Sequence, residues 1–479
     1  MRVKVISEPF PTIDELEEGL AYIFKDRGGS FKGFLFPVDV KALKLLGVKD
    51  TLKFSYSRMP PIIRIPSPYQ VGTIETKPDL PFEKVKVEIP PIPREVFRVA
   101  QKSGFRVYLV GGGVRDLLSG RYGDGREEWD FVVTAGFEPF SRVLQKRFKA
   151  KSLTHPSYCT ASLVLEGVIR VDLSRPRFEF YNPSGKIAQI KKAPFYLDLL
   201  RRDFTINAMA LYLKNGEVVL IDPWGGVEDL KNGILRIMRP YAFLEDSLRI
   251  LRMVRYAITL GFKPGEREEE LLKEALEEIP KGPASYLDPR FGRELAILLT
   301  SPVEGLKSYI DRYHFLSLLK PVHREVNGEA LVKASHLFQI LPLKERVRRE
   351  DYLILFLLSY LKKEEALNLL HTLSVNLKGL NVRRILSFDV REKEVFLRKA
   401  PYNLLACLLA IHLARSSLPL KEGEEKLRLF LKNLVSAEDL KGLGIRPGPL
   451  FQAILREVKI RTLEGTIKDR EEALAYLKK

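Results

Sequence analysis

The sequence predicts an α+β protein with a separate N-terminal region, a central mixed sheet flanked by helices, and a long helical half. Three observations carry this. Prolines crowd RMPPIIRIPSPYQVGTIETKPDLPFEKVKVEIPPIPRE, where they forbid helix interiors and central strands. From residue 96 to 238, short β-branched and aromatic runs alternate with helical periods. After Leu244 nearly every segment has helical periodicity.

Taken in order, TIDELEEGLAYIFKD reads as helix-like and leads through mixed short segments into the proline-dense stretch. That stretch is a linker or sheet edge, and residues 1–95 receive no function. REVFRVAQKSGF is a helix ending at Gly104. RVYLVG and EWDFVVTA are strands, with FSRVLQKRF a helix between strands. TASLVLEGVIRVDLS forms a hairpin turning at Glu166 and Gly167, and AMALYLKNGEVVLID another at Asn215 and Gly216. EDSLRILRMVRYAITLGF is a helix stopped by Gly261. REEELLKEALEEI, GRELAILLTS, EGLKSYIDRYHFLSLL and DYLILFLLSYL continue as helices.

The 479 residues suffice for roughly two to four domains. Lys and Arg number 79 against 61 Asp and Glu, a net charge of +18. A thermophile-like Lys/Glu surface explains many charges but not their imbalance. The surplus points to a polyanion, RNA or DNA. Cys159 and Cys407 lie far apart and outside any CxxC, which excludes a disulfide scaffold and a cysteine zinc site and fits a reducing cytoplasm. No apolar run approaches the ~20 residues of a membrane span. The first residues are too polar for a signal peptide, so the expected location is cytoplasmic.

The chemistry concentrates in a few stretches. VGGGVRD breaks a strand with glycines that let a ligand approach the backbone, and Arg115 follows. It is neither a Rossmann fingerprint nor a P-loop. Strand alternation puts Glu128 and Asp130 on one face and Trp129 opposite. Two such carboxylates can share two Mg²⁺ ions roughly 4 Å apart. A solvated strand end is the plainer reading. Asp172 is a third carboxylate in an apolar strand, and needs a cation or a salt bridge with Arg170 or Arg175. In LLRRDFTINAMALYL, Arg201 and Arg202 can grip phosphate or ribose while Asp203 holds one of them, or they form a surface helix end. Asp246, Arg249, Arg252 and Arg255 recur every third residue as a winding stripe on one helix, with Leu248, Leu251 and Val254 on the other side.

Together, YLVGGGVRDLL, EWDFVV, RRDFTINAMA, IDPWGGVEDLKNGILR and EDSLRILRMVRYAITLGF resemble the class II tRNA nucleotidyltransferases, the CCA-adding enzymes and their relatives. The resemblance is strong over residues 96–300, loose over 300–479 and absent over 1–95. It implies a polymerase-β-like nucleotidyltransferase head at 96–238, a helical neck at 239–300, and an all-α body and tail at 301–479 that binds tRNA. It implies that Gly111, Gly112 and Arg115 meet the triphosphate, that Glu128 and Asp130 hold Mg²⁺, and that Asp172 is an additional catalytic carboxylate. Arg202, Asp246, Arg249, Arg252 and Arg255 would bind the nucleotide. Asp116, Arg201, Asp203, Asn207 and Glu245 would support the site. One departure stands out: the family's metal pair is usually Asp-x-Asp, whereas here Glu128 takes the first place.

The implied activity is template-independent addition of C and A to the tRNA 3′ end from CTP and ATP. Asp246 accepts and Arg249 donates, which matches the amino group and ring nitrogen of cytosine and adenine and mismatches uracil and guanine. The alternatives are a bacterial poly(A) polymerase, a CC-only or A-only tRNA enzyme, and a non-catalytic RNA-binding relative. The PGP-containing tail and INAMA favour the tRNA enzymes. A metal phosphohydrolase in the helical half has only His336 and His371 to offer, with no adjacent His-Asp pair.

Overall fold

A computed structural model describes residues 2–7, 11–17, 20–25, 27, 31–35, 53–54, 63–64, 82–121, 128–165, 168–181, 187–193, 195–214, 216–239, 242–281, 287–322, 326–377 and 380–478. Much of the proline-dense stretch, the Glu166–Gly167 turn, Asn215, and the acidic residues Asp124 and Glu127 lie outside these residues. The chain forms two compact units, Met1–Arg249 with Leu260–Ala275, and Ile250–Thr259 with Leu276–Lys479.

The first unit opens with a small sheet rather than the helix expected at TIDELEEGLAYIFKD. Strand β1 (Arg2–Ser7) pairs in parallel with β2 (Leu20–Lys25), which pairs antiparallel with β3 (Phe31–Leu35). Among the described residues of that stretch only Ile13–Glu15 make a helical turn, of the 3₁₀ kind. Tyr22, Ile23 and Phe24 suit a pleated surface, and Tyr22 is fully buried. The β1 partner outweighs a local helical period, because a short isolated helix is marginal. Short strands β4 (Lys53–Phe54) and β5 (Ile63–Arg64) pair with each other.

The main sheet has eight strands in the order β6-β15-β14-β7-β8-β11-β10-β9. These are β6 (Phe82–Lys84), β7 (Val107–Val110), β8 (Glu128–Val133), β9 (Lys151–His155), β10 (Thr160–Leu165), β11 (Ile169–Ser174), β14 (Ala210–Lys214) and β15 (Glu217–Ile221). A separate ribbon pairs β12 (Arg177–Tyr181) with β13 (Ile187–Lys192). In the main sheet β8 and β11 run parallel and the other neighbours antiparallel. Among its described residues the proline-rich segment reaches the main sheet at an edge, as β6, where missing N–H groups cost least.

Helices follow their punctuation. Helix α1 (Pro91–Lys102) starts on prolines, which need no N–H partner in the first turn, and Gly104 turns the chain with φ 73°. Helix α2 (Gly112–Leu118) follows β7, and α3 (Phe137–Phe148) follows β8. One face of the sheet carries the core: Val107, Leu109, Trp129, Phe131, Val133, Val171 and Leu173 pack with Phe97, Phe140 and Leu144 from α1 and α3. Each such side chain contributes about 1.5–3 kcal/mol by leaving water. Alternation sends Tyr108, Val110 and Val132 to the other face, against helix α4 (Phe195–Leu200). Tyr108 stacks on Phe195 with centroids 4.0 Å apart, fixing α4 over the centre of the sheet.

Helix α5 (Gly226–Asn232), the single turn α6 (Ala242–Glu245) and helix α7 (Leu248–Leu260) follow, and Gly261 ends α7 with φ 72°. The second unit is helical. EGLKSYIDRYHFLSLL is two elements rather than one helix: Val303–Tyr313 ends at His314, whose φ of 50° is left-handed and whose N–H bonds to Ile310. A 3₁₀ segment, Phe315–Val322, continues the chain. Arg349–Leu358 buries eight of its ten residues, Asp351–Leu358, and thus forms a core helix. Among the described residues no helix is long and apolar enough to cross a membrane.

Candidate active site

The carboxylate strand comes first. Trp129 is 2% exposed in the core, so its neighbours Glu128 and Asp130 face the other way, toward the α4 side. Parallel pairing then sets Asp172 opposite Asp130 and Arg170 opposite Glu128. Three carboxylates therefore share one face with one guanidinium. Arg170 takes the Asp172 carboxylate through Nε and Nη2, at 2.9 and 2.5 Å, and reaches Glu128 at 3.0 Å. The salt bridge considered for Asp172 is thus made by Arg170. Arg170 is held protonated above its ordinary range, chiefly by the Asp172 bond. Among the described residues, no group of three or more His, Cys, Asp or Glu is drawn close enough to hold a metal ion. The donor set still fits a hard divalent cation, since it consists of carboxylate oxygens. Arg170 stands in for positive charge between them.

Beside this strand lies the glycine turn. Val110 pairs with Asp130, and Gly111 follows at φ 75°. A methyl group at Gly111 would stand 3.3 Å from both the Asp130 carboxylate and an Arg202 guanidinium nitrogen. Glycine is needed for the left-handed backbone and for the close approach. Gly112 opens α2, which carries the buried Arg115. Arg115 donates to Asp116 at 2.8 Å and to Asn207 at 3.0 Å, and Asn207 donates to Asp203 at 3.0 Å. The turn is thereby tied to the RRD segment.

That segment differs from the sequence reading in one respect. Asp203 accepts from Asn207 and from the Phe204 N–H. The arginines are held by Asp198, which is fully buried on α4: Arg201 approaches it to 2.8 Å and Arg202 to 3.1 Å. Glu179 on β12 adds a second acid to Arg201 at 3.2 Å and takes Arg177 at 2.9 Å. Burial pushes the Asp198 carboxyl up, but Arg201 and Arg202 outweigh it and hold the group below its usual value. Arg201 and Arg202 are thus mostly buried rather than a surface helix end. Asp198 was legible as an acid three and four residues before the arginines. Glu179 carries no such local signal.

The last component is the start of α7. The helix begins at Leu248, so Asp246 sits just ahead of it, where its carboxylate accepts from the Leu248 N–H at 3.3 Å. Arg249 is 4% exposed. It donates to the Ala242 carbonyl, to Glu245 at 3.0 Å and to the Arg201 carbonyl at 2.9 Å. Glu245 also takes Arg239 at 2.6 Å. Asp130, Gly111, Arg202, Arg201 and Arg249 therefore form one contiguous line within the first unit. Arg252 and Arg255 continue along α7 in the second unit, where Arg252 donates to Tyr256 and Arg255 to Glu294.

A family model described as the poly A polymerase head domain matches residues 107–236, which hold the main sheet apart from β6, the glycine turn and the RRD segment. Over 376 residues the chain is 30% identical to an A-adding tRNA nucleotidyltransferase of Aquifex aeolicus, covering 73% of this chain and 44% of that protein. It is 28% identical over 408 residues to a CC-adding tRNA nucleotidyltransferase of Synechocystis, covering 77% and 92%. The Thermotoga maritima CCA-adding enzyme, solved in complex with tRNA, superposes with a TM-score of 0.59 at 25% identity, over 82% of this chain and 98% of that one. These similarities support a class II tRNA nucleotidyltransferase. It spans less than half the length of the Aquifex relative. Both arginines of RRD, the Asp246–Arg249 pair and Glu128 lie in the stretches that carry the resemblance.

Proposed function

We propose that the chain transfers nucleotides from ATP and CTP to the 3′ end of tRNA without a template. The observation that carries this reading is the line from Asp130 through Gly111 and Arg202 to Arg249. It joins a carboxylate cluster, a bare backbone turn and a fixed polar reader. These are the parts that transfer to a chosen nucleotide requires.

The roles follow from the chemistry of each group. Glu128, Asp130 and Asp172 offer oxygen ligands for Mg²⁺ on one face of the sheet. Bound Mg²⁺ supplies Lewis-acid activation of the RNA 3′-hydroxyl and neutralises charge on the phosphates. Glu128 reaches one methylene further than Asp and would hold the ion through that longer side chain. Gly111 and Gly112 leave room for phosphate against the main chain, and Arg115, held by Asp116 and Asn207, adds charge beside them. Arg202 is aimed by Asp198 toward the same turn. Its part is to orient the triphosphate, because such transfer depends mainly on positioning and electrostatics.

Asp246 and Arg249 read the base. An acceptor beside a donor suits cytosine and adenine, and each mispaired polar group on uracil or guanine costs about 1–3 kcal/mol. Arg249 is pinned by three acceptors, so the reader is rigid before substrate arrives. The cationic helical half holds tRNA through backbone and shape, as suits structured RNA.

The experiment supplies the purified chain with tRNA ending in the discriminator base, in C or in CC, with each nucleotide singly and Mg²⁺. The expected products are one to three nucleotides longer, from CTP and ATP only. A long A-tract on any 3′ end, or no incorporation, would overturn the reading.

A further inference from the structure

The position of Arg170 has a consequence for metal binding. Its guanidinium is seated between Glu128 and Asp172, on the face that also holds Asp130. The placement is set by the fold rather than by side-chain chance. Parallel register makes Arg170 the cross-strand partner of Glu128, and Asp172 lies two residues along on the same face. Arg170 contacts both carboxylates at 3.0 Å or less. Glu128 is the member of the pair that departs from the family's usual Asp, and its longer side chain is bonded to this arginine.

We infer that Arg170 is a built-in competitor of the divalent cation: it occupies the carboxylates when metal is absent and must leave at least one of them when metal binds. This rests on the reading of Glu128, Asp130 and Asp172 as the metal-binding carboxylates. A guanidinium cannot lose its proton, so it yields only by moving. Arg170, Glu128 and Asp172 are 46%, 63% and 24% exposed, which leaves the arginine room to swing out and keeps each pair modest in strength. The site's charge is therefore partly offset without metal, and it fills only when the ion outcompeting Arg170 is abundant. The arginine acts as a positioning residue that tunes the metal requirement, not as a catalytic one.

The test titrates Mn²⁺ alone against the full chain, reading free Mn²⁺ by electron paramagnetic resonance, in the native protein and in Arg170→Gln, Arg170→Lys and Asp130→Asn. Removing two partly exposed pairs predicts Mn²⁺ binding roughly fivefold tighter in Arg170→Gln. Arg170→Lys, which keeps the charge but loses the fork, should fall between. Asp130→Asn should bind more weakly. The rise in melting temperature on adding Mn²⁺ should be larger in Arg170→Gln than in the native chain, a readout independent of activity. Equal or weaker Mn²⁺ binding in Arg170→Gln, with Asp130→Asn still weakened, would overturn the competitor role while leaving the metal site intact. No binding in the native chain, or binding indifferent to Asp130→Asn, would overturn the metal reading itself and the inference with it.

Discussion

Asp130 and Asp172 are register partners on adjacent parallel strands, and their side chains share the face that α4 covers. The core residues that alternate with them, Trp129, Phe131, Val171 and Leu173, allow no other orientation without exposing four buried side chains. The pair is thus a product of the sheet, and its loss should be felt in chemistry before folding. Asp130→Asn should lower kcat for nucleotide addition at least ~100-fold, in line with the loss of one strong electrostatic group. Asp172→Asn should cost less, since Arg170 already shares its charge. Single-turnover addition to tRNA, with melting curves run alongside, checks both.

Asp198 is the structural hinge of the RRD segment. Asp198→Ala should destabilise the first unit by about 3 kcal/mol, because it leaves two mostly buried guanidiniums without their shared acid. Denaturant unfolding measures this. The acid limb has a definite sign. Burial raises the Asp198 carboxyl, and Arg201 with Arg202 more than compensate, so its folded pKa lies below the unfolded value of about 3.9. Its stabilisation is therefore complete above about pH 4 and is lost as pH falls through the folded value. Asp198→Asn should flatten the loss of melting temperature below about pH 4.

Base choice should depend on Asp246 more than on triphosphate contacts. Asp246→Ala should raise incorporation of U or G relative to A by about 10–100-fold, with KM for ATP changed less. Arg249→Ala should combine that effect with looser holding of the Arg201 carbonyl, and so also lower kcat. Primer extension with competing nucleotides separates the two. Unaltered discrimination in Asp246→Ala would remove this residue from the reader.

The two thiols should differ sharply. Cys407 is buried, and burial pushes its thiol up to about 12. Cys159 is half-buried near a turn. Thiol titration of the native chain at pH 8 should count one reactive cysteine, and two after denaturation. Iodoacetamide mapping should assign the first to Cys159.

The sequence made the main sheet legible because period-2 alternation and glycine punctuation are local signals. EWDFVV and the AMALYLKNGEVVLID hairpin emerge with little change. The helix expected at TIDELEEGLAYIFKD failed, since pairing of β2 with β1 is a tertiary event that a local period does not report. His314 broke a helix without a glycine or proline to announce it. In the site, the face shared by Glu128 and Asp130 was readable, but the registration of Asp172 against Asp130 needs the sheet order. Asp198 was within helical reach of its arginines and could have been found. Glu179 and the burial of Arg249 depend on packing between distant segments, which spacing does not encode.

The central claim is that one nucleotide site runs from the carboxylate strand to Arg249. A crystal structure of the chain with Mn²⁺ and a non-hydrolysable ATP analogue tests it most directly. The account predicts anomalous Mn²⁺ signal at Glu128 and Asp130, phosphates against Gly111 and Arg202, and adenine hydrogen-bonded to Asp246 and Arg249. A nucleotide bound away from Arg202, or metal density absent from Asp130 while the analogue is ordered, would contradict it.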